Sequence, residues 1–509
     1  MRNNAWQKGV VLLSVLAIAS AGLLTSAQQL VLKEDSDDKQ QQQKPLGTSV
    51  EQRIERVENG LLPAVVLKGE TPLRMRIDER MKFYRTPGVS VAVINEGKVE
   101  WARGYGLLKI NGQQRVTTET MFQAASISKT FTAIAALQLV EKHKLNLDED
   151  VNIKLSTWKI PESDLTKTEK PTLRRVLSHT AGLSVGGFPG YPIGQPVPSL
   201  QQLLNGEKPA NTPPVRINMV PGSKFSYSGG GYEVLEQLLI DVSGSSFTDL
   251  MQPTLKKLRM SRSTFISPSA GDSDVASGHF PNGKEIEGGW FIHPQLAAAG
   301  LWSTPTDLAQ LVIEIQKSNE GKSNRLLSRD MTKLMITPQI ENIGLGVMFE
   351  GQGPSARFIS GGSNVGYKSY AVGYLQTGQG AVVMTNAENG AQLAFEILRS
   401  ISAEYGWPDY RPKERVISKI DPGAYDDYVG QYELGVPGPP VIITREGDKL
   451  ISQGLQQPKA ELLPESPNTF FLKEVDALFT FIRDEKGQVV EVIIRRGGRD
   501  YKAKRIRKD

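Results

Sequence analysis

Phe122-Gln-Ala-Ala-Ser-Ile-Ser-Lys-Thr130 decides how this chain is read. It places Ser126 and Lys129 three residues apart, at the point where a helical pattern opens. Residues at that spacing share one face of a helix. A lysine within reach of a serine hydroxyl, once it has shed its charge, can take the hydroxyl proton and turn a poor nucleophile into a competent one. Downstream, Phe131, Ile134, Leu137 and Val140 recur at helical spacing. This predicts a core helix from Ser126 to about Lys144 with chemistry at its N-terminal end.

A bare S-x-x-K is weak, and the chain has three: Ser36-Lys39, Ser126-Lys129 and Ser156-Lys159. The first falls in a polar tract and the third lacks helical periodicity, so only the second has a rigid platform. A competing signal is Gly182-Leu-Ser-Val-Gly186. It matches the nucleophile elbow of α/β-hydrolases, with Ser184 as nucleophile and His179 as a nearby base. An elbow needs a strand before it and a helix after it, and Gly187-Phe-Pro-Gly190 forbids the helix. His179 is accordingly read as a loop residue bonded to backbone.

With 509 residues the chain exceeds one compact core. Net charge is +5 from 60 basic and 55 acidic residues, which gives no case for nucleic acid as a partner. The absence of cysteine removes disulfides, thiolate catalysis and cysteine-based zinc sites. The four histidines are scattered without ligand spacing, so no metal is expected.

Arg2 and Lys8 flank the start of an apolar run, Val10 to Leu24, and Thr25-Ser-Ala27 follow it. That is the build of a secretory signal peptide, predicting export to the periplasm or beyond in a bacterium, with no membrane span after cleavage. Residues 28–55 are polar and Gln-rich and read as a disordered spacer, with structure beginning by about Leu73. Gly88–Ile94 and Val99–Gly104 read as strands around a turn, Tyr232–Val242 and Gln392–Glu404 as helices, Tyr367–Leu375 and Gly380–Thr385 as later strands. Residues 181–222, rich in Gly and Pro, read as a long irregular loop. From 411 to 509 short alternating segments punctuated by turns suggest a small antiparallel sheet or barrel. The predicted strands there are Val441–Arg445, Lys449–Gln453, Thr469–Lys473, Phe479–Arg483 and Val489–Arg495. The basic end (Arg495, Arg496, Arg499, Lys502, Lys504, Arg505, Arg507, Lys508) reads first as a charged edge strand resisting aggregation. Its sharper reading is weak contact with an anionic envelope surface.

Residues 75–405 resemble the serine β-lactamase and penicillin-binding protein superfamily, in its class C-like branch. Four segments carry the resemblance in order: Ser126-Ile-Ser-Lys129; Val176-Leu-Ser-His-Thr-Ala-Gly-Leu183; Pro221-Gly-Ser-Lys-Phe-Ser-Tyr-Ser-Gly229, with Tyr227 at the family tyrosine; and Phe358-Ile-Ser-Gly-Gly-Ser-Asn364, similar to the family's third element. The resemblance implies an α/β (α+β) domain over 56–410, an antiparallel sheet flanked by helices, followed by a lipocalin-like all-β domain over 411–509. It implies catalysis by Ser126, Lys129 and Tyr227; the sequence leaves open which of Lys129 and Tyr227 takes the Ser126 proton, and we assign Lys129 as acylation base and Tyr227 as proton shuttle to the leaving group. It implies an oxyanion hole from the N–H groups of Ser126 and Ser363, substrate contacts at Gly229, Ser360, Gly361 and Gly362, and no cofactor. Gly229 stands where the family has an asparagine, and Ser360 where it has lysine or histidine. The expected activity is hydrolysis of a small ester, a β-lactam or a D-residue peptide through an acyl-serine. A binding or sensor module is the non-enzymatic alternative.

Overall fold

The computed structural model describes residues 49–506 apart from 270–271, 435–439, 455–458 and 497–498. The signal-like segment, Ser36-Lys39, Arg507 and Lys508 lie outside the described residues. Among the described residues no helix is long and apolar enough to cross a membrane.

A six-stranded antiparallel sheet divides the larger domain into layers. Its order is Lys98–Gly106, Gly88–Asn95, Gly380–Thr385, Tyr367–Tyr374, Arg357–Asn364, Met348–Glu350. The first hairpin therefore pairs with strands nearly 300 residues later, Val91 opposite Val383. Alternation along a strand sends side chains to opposite faces. Val89, Val91 and Val93 pack against one layer, built on the helices Val50–Glu58, Ile77–Phe83 and Gly390–Tyr405. Ala92 and Ile94 pack into the larger layer that holds the helices Ser128–Glu141, Gly229–Ser243 and Pro305–Asn319. Burial on both faces explains the apolar run GVSVAVI, broken only by Ser90, whose hydroxyl donates to the Thr117 carbonyl.

Several elements depart from the sequence reading. The expected spacer over 28–55 gives way at Val50 to a helix, closed by a reciprocal cap between Ser49 and Gln52. Its Ile54 and Val57 are buried, and Arg56 is held bidentately by Glu404 at 2.8 and 2.6 Å. Only two apolar positions face the core, too few to register as a periodic stripe. Structure thus begins well before Leu73. The helix after Tyr227 starts at Gly229, earlier than expected, because three glycines form its first turn under the N-cap Ser228. A Cβ at Gly230 would sit 2.6 Å from the Ser184 carbonyl oxygen, so low helix propensity here serves close packing. The 181–222 loop contains one short helix, Leu200–Asn205, capped by Ser199 and Gln202.

The C-terminal strands Gly430–Leu434, Val441–Glu446, Lys449–Gln453, Ala460–Ser466, Thr469–Phe471, Ala477–Arg483, Val489–Arg496 and Arg499–Arg505 form a closed up-and-down barrel. The last strand pairs with both Val489–Arg496 and Gly430–Leu434. The part of the basic run up to Arg505 is therefore not an edge strand, and its charges guard no edge. Three strands escaped the sequence reading. Gly430–Leu434 and Arg499–Arg505 are mostly polar, with Tyr432 and Ala503 buried inside, and Ala460–Ser466 contains Pro464. Between the domains, Val65–Leu67 pairs in parallel with Lys413–Arg415, and Val65 packs against Phe471 of the barrel.

Candidate active site

Ser126 lies in a 3-10 turn, Ala125–Ile127, that runs directly into the helix Ser128–Glu141. Ala125 takes a left-handed backbone conformation, φ 51°, at some steric cost for a residue with a Cβ. The turn is clasped by Ser128, whose hydroxyl donates to the Ala125 carbonyl (2.6 Å) and accepts from the Leu301 N–H (3.0 Å). The helix itself is buried almost all round, wider than the expected stripe, with Thr132, Ala133, Ala136 and Leu139 in the core. It is a fixed platform for Lys129, which is 6% exposed.

Three side chains converge. Lys129 Nζ donates to Ser126 Oγ at 3.1 Å and to the Ala298 carbonyl at 2.7 Å. The Tyr227 hydroxyl donates to Ser126 Oγ at 2.9 Å. Lys129 Nζ also lies 5.1 Å and 5.6 Å from the ring centroids of Tyr227 and Tyr232. Ser126 Oγ thus accepts from both groups expected to handle its proton. The Ala298 contact was invisible in sequence, because a backbone carbonyl carries no signature.

His179 is brought to the site but in a supporting place. Its ring stacks on Tyr227 at 4.4 Å, and Nδ1 accepts the Ser228 N–H at 3.1 Å. Burial, helped by the positive Lys129, pushes its pKa down to about 3, so the imidazole is neutral and a poor base. Ser184 is no elbow: neither a strand leads to it nor a helix from it, and its hydroxyl donates to the Pro214 carbonyl (3.3 Å) and accepts from the Arg216 N–H (2.9 Å). The third S-x-x-K also dissolves, since Lys159 Nζ donates to the Asn152 carbonyl at 2.6 Å.

The strand Arg357–Asn364 forms the opposite wall. Gly362 belongs there because a Cβ would stand 2.0 Å from the Ala124 carbonyl oxygen, on the nucleophile turn. The hairpin register pairs Asn364 with Tyr367 and Gly362 with Ser369, and the Leu375 N–H bonds the Ala356 carbonyl. Hydrogen bonding in an antiparallel pair alternates. The backbone groups of Gly361 and Ser363 therefore point away from Tyr367–Tyr374, on the side that Met348–Glu350 covers only as far as Ile359. Ser360 Oγ shares a 2.8 Å hydrogen bond with Thr130 Oγ1, which also reaches the Gly346 carbonyl. Asn364 Nδ2 donates to Gln123 Oε1 at 2.6 Å, tying the strand to the nucleophile segment.

Gly229 has a physical reason as well. A Cβ there would stand 2.7 Å from the Phe188 ring, so an asparagine would require that ring to move. Phe188, from the Gly-Pro loop, occupies the side of the site where the resembling family places an amide. Among the described residues no three His, Cys, Asp or Glu side chains gather as metal ligands would.

Residues 73–403 match the model of a family described as beta-lactamase, and 414–507 match a domain of unknown function, DUF3471. Curated relatives include the teichoic acid D-alanine hydrolases of several Staphylococcus aureus strains. They are 26% identical over 259 residues, covering 50% of this chain and 60% of the relative. The chain thus spans less than two thirds of their length. Among solved structures, the octameric penicillin-binding protein homologue from Pyrococcus abyssi superposes with a TM-score of 0.57 at 21% identity, over 84% of this chain and 98% of that one. A penicillin binding protein from Bacillus halodurans gives 0.51 at 20% identity, over 65% and 99%. At these identities the two structures speak for the fold.

Proposed function

Because this chain belongs to the beta-lactamase family, we propose that it is an exported serine hydrolase that forms an acyl-enzyme on Ser126 and releases it to water. The observation that carries this reading is the convergence of Lys129 Nζ and the Tyr227 hydroxyl on Ser126 Oγ, at 3.1 and 2.9 Å. Ser126 Oγ attacks a carbonyl carbon, and its proton passes to Lys129. Tyr227 delivers a proton to the leaving group as the C–O or C–N bond breaks, and is restored by the proton that Lys129 took from Ser126. The N–H groups of Ser126 and Ser363 receive the oxyanion. Such a donor is worth about 3 kcal/mol, or roughly a hundredfold in rate. Gly361 and Gly362 leave room for substrate along the strand.

The substrate we favour is a D-alanyl ester or a similar small ester. The relatives' name supplies the D-alanine; the site supplies the fit. Ser360 offers no positive charge for a substrate carboxylate, and Phe188 stands where a polar amide would grip a peptide or β-lactam side chain. An alanyl ester presents an ammonium and no free carboxylate, so it loses nothing by either change.

The test is a protein lacking residues 1–27, treated with a fluorophosphonate and a fluorescent penicillin, then peptide-mapped, with D-alanyl ester turnover measured in parallel. A fluorophosphonate adduct on Ser126, lost in Ser126→Ala, and ester turnover exceeding penicillin labelling are expected. No adduct on a folded protein would favour the binding-module reading. Export is checked by the N-terminal mass of protein recovered from the cell envelope or medium.

A further inference from the structure

Three groups of His179 act on one neighbour, Tyr227. The His179 carbonyl accepts the Ser226 N–H at 2.9 Å, and its ring Nδ1 accepts the Ser228 N–H at 3.1 Å. The two bonds grip the chain on either side of Tyr227. The imidazole itself stacks on the phenol ring, with centroids 4.4 Å apart and planes 29° apart. Tyr232 also lies against the imidazole, at 5.2 Å between centroids. At the end of the ring so held, the Tyr227 hydroxyl donates to Ser126 Oγ at 2.9 Å.

The grip needs a particular backbone and a particular proton. His179 takes a left-handed conformation, φ 57°, which costs most L-residues energy. In that conformation the carbonyl and the ring of one residue both reach the segment 226–228. An Nδ1 that accepts an N–H carries no proton, so the ring proton sits on Nε2. An imidazolium would turn an N–H against the Ser228 N–H and break the bond. The residue is 8% exposed, and burial keeps the ring neutral. Holding the loop alone would need no imidazole: next door, the Thr180 carbonyl takes the Gly222 N–H at 2.7 Å with backbone atoms only. What the ring adds is a hold on one phenol.

Given the acyl-enzyme mechanism proposed for Ser126, on which this rests, we propose that His179 is a positioning residue that fixes the Tyr227 phenol for proton delivery to the leaving group, through the Ser228 bond and the ring stack. The step it serves is the collapse of the tetrahedral intermediate. The oxyanion re-forms its C=O bond, and the C–O pair departs with the leaving oxygen. The Tyr227 hydroxyl proton goes to that oxygen, and Tyr227 is restored by the proton Lys129 took from Ser126. A leaving alkoxide needs the proton, whereas 4-nitrophenolate leaves without it. A displaced phenol therefore slows an alkyl ester far more than a 4-nitrophenyl ester.

The test uses the full chain with the ethyl and 4-nitrophenyl esters of D-alanine. His179→Phe keeps an aromatic ring and loses the Nδ1 acceptor. His179→Asn keeps an acceptor, suits the left-handed backbone and loses the stack. The ratio of kcat/KM, 4-nitrophenyl over ethyl, should rise about tenfold in His179→Phe, a fraction of what a placed general acid contributes, and by less in His179→Asn. In Tyr227→Phe the ratio should rise further. Adding His179→Phe to that variant should change nothing more, as for two residues that act as one unit. A fall shared equally by both esters overturns the proposal and leaves His179 a role in the fold alone. So does an effect of His179→Phe that persists undiminished beside Tyr227→Phe. Where His179→Phe does not fold, the ratio in His179→Asn and the 15N spectrum of histidine-labelled protein decide, the second without turnover. The resonances lost in His179→Asn should show a bare Nδ1 and a protonated Nε2 from pH 7 down to pH 5, and a proton on Nδ1 overturns the proposal. A wild type that cleaves neither ester would overturn the proposed hydrolase, and with it any service of His179 to catalysis. Cleavage with an unmoved ratio overturns the positioning role only.

Discussion

The two domains bury polar groups in opposite ways. Inside the barrel, Tyr428 packs edge-on against Phe470 and Tyr432 edge-on against Phe481, and each tyrosine hydroxyl finds a carbonyl, Tyr428 that of Pro467 and Tyr432 that of Tyr428. In the larger domain, Glu233, His293, Gln295 and Trp290 bury polar atoms with no hydrogen-bond partner. Among the described residues no side chain of the barrel strands does so. Unpartnered buried groups cost stability and cluster where a protein trades stability for chemistry. Among the described residues, unpartnered buried polar atoms thus gather in the larger domain, which also carries His179 and Lys129 beside Ser126, and not in the barrel strands.

The largest effect that would sharpen this contrast is a core deletion in the barrel. Phe481→Ala should destabilise by about 3–5 kcal/mol, as fully buried aromatic truncations do. Ester turnover per folded molecule should stay unchanged, and a loss of turnover before unfolding would show that the barrel shapes the site. Next is Gly362→Ala, which pushes the strand off the nucleophile turn. Turnover should fall roughly a hundredfold, the usual result of a misplacement near 1 Å. Wild-type rates would mean that the strand does not position the reaction.

A third expectation concerns pH. Burial lowers His179 to about 3 and His293 to about 4, from an ordinary 6.5. The unfolded chain therefore binds more protons as pH falls below that value, and stability drops on the acid side. Glu236, raised from 4.5 to about 8, gives the folded chain the extra proton in that window, so stability also drops as pH rises toward 8. Tm should be highest between these two limbs, and E233Q/E236Q should lose the alkaline fall, a change of at least about 3 °C. A Tm flat from pH 6.5 to 8 in wild type would contradict the burial of Glu233 and Glu236. The smallest effect belongs to the barrel surface. Arg495→Ala removes an exposed pair with Asp500 and should cost less than about 1 kcal/mol in urea unfolding.

How much of this was legible follows from what each signal depends on. Ser126, Lys129 and Tyr227 could be placed because their order and spacing travel in sequence, and the apolar strand 88–94 because both its faces are buried. The N-terminal helix was hidden by having only Ile54 and Val57 to bury. The strand Arg499–Arg505 was hidden by turning charges outward at most positions. The reasons for Gly229 and Gly362 lay in remote atoms, the Phe188 ring and the Ala124 carbonyl, which no local pattern can report. Glu233 and Glu236 carry no signature in sequence, because only packing against other elements removes their water.

The pairing of Val65–Leu67 with Lys413–Arg415 joins two segments far apart in the chain. A ribosome delivers the first strand long before its partner, just as Arg56 must wait 348 positions for Glu404. The strand Val65–Leu67 thus finds its partner only in the segment that leads into the barrel. A chain stopped short of residue 413 has that strand unpaired, and without the barrel Val65 also lacks Phe471.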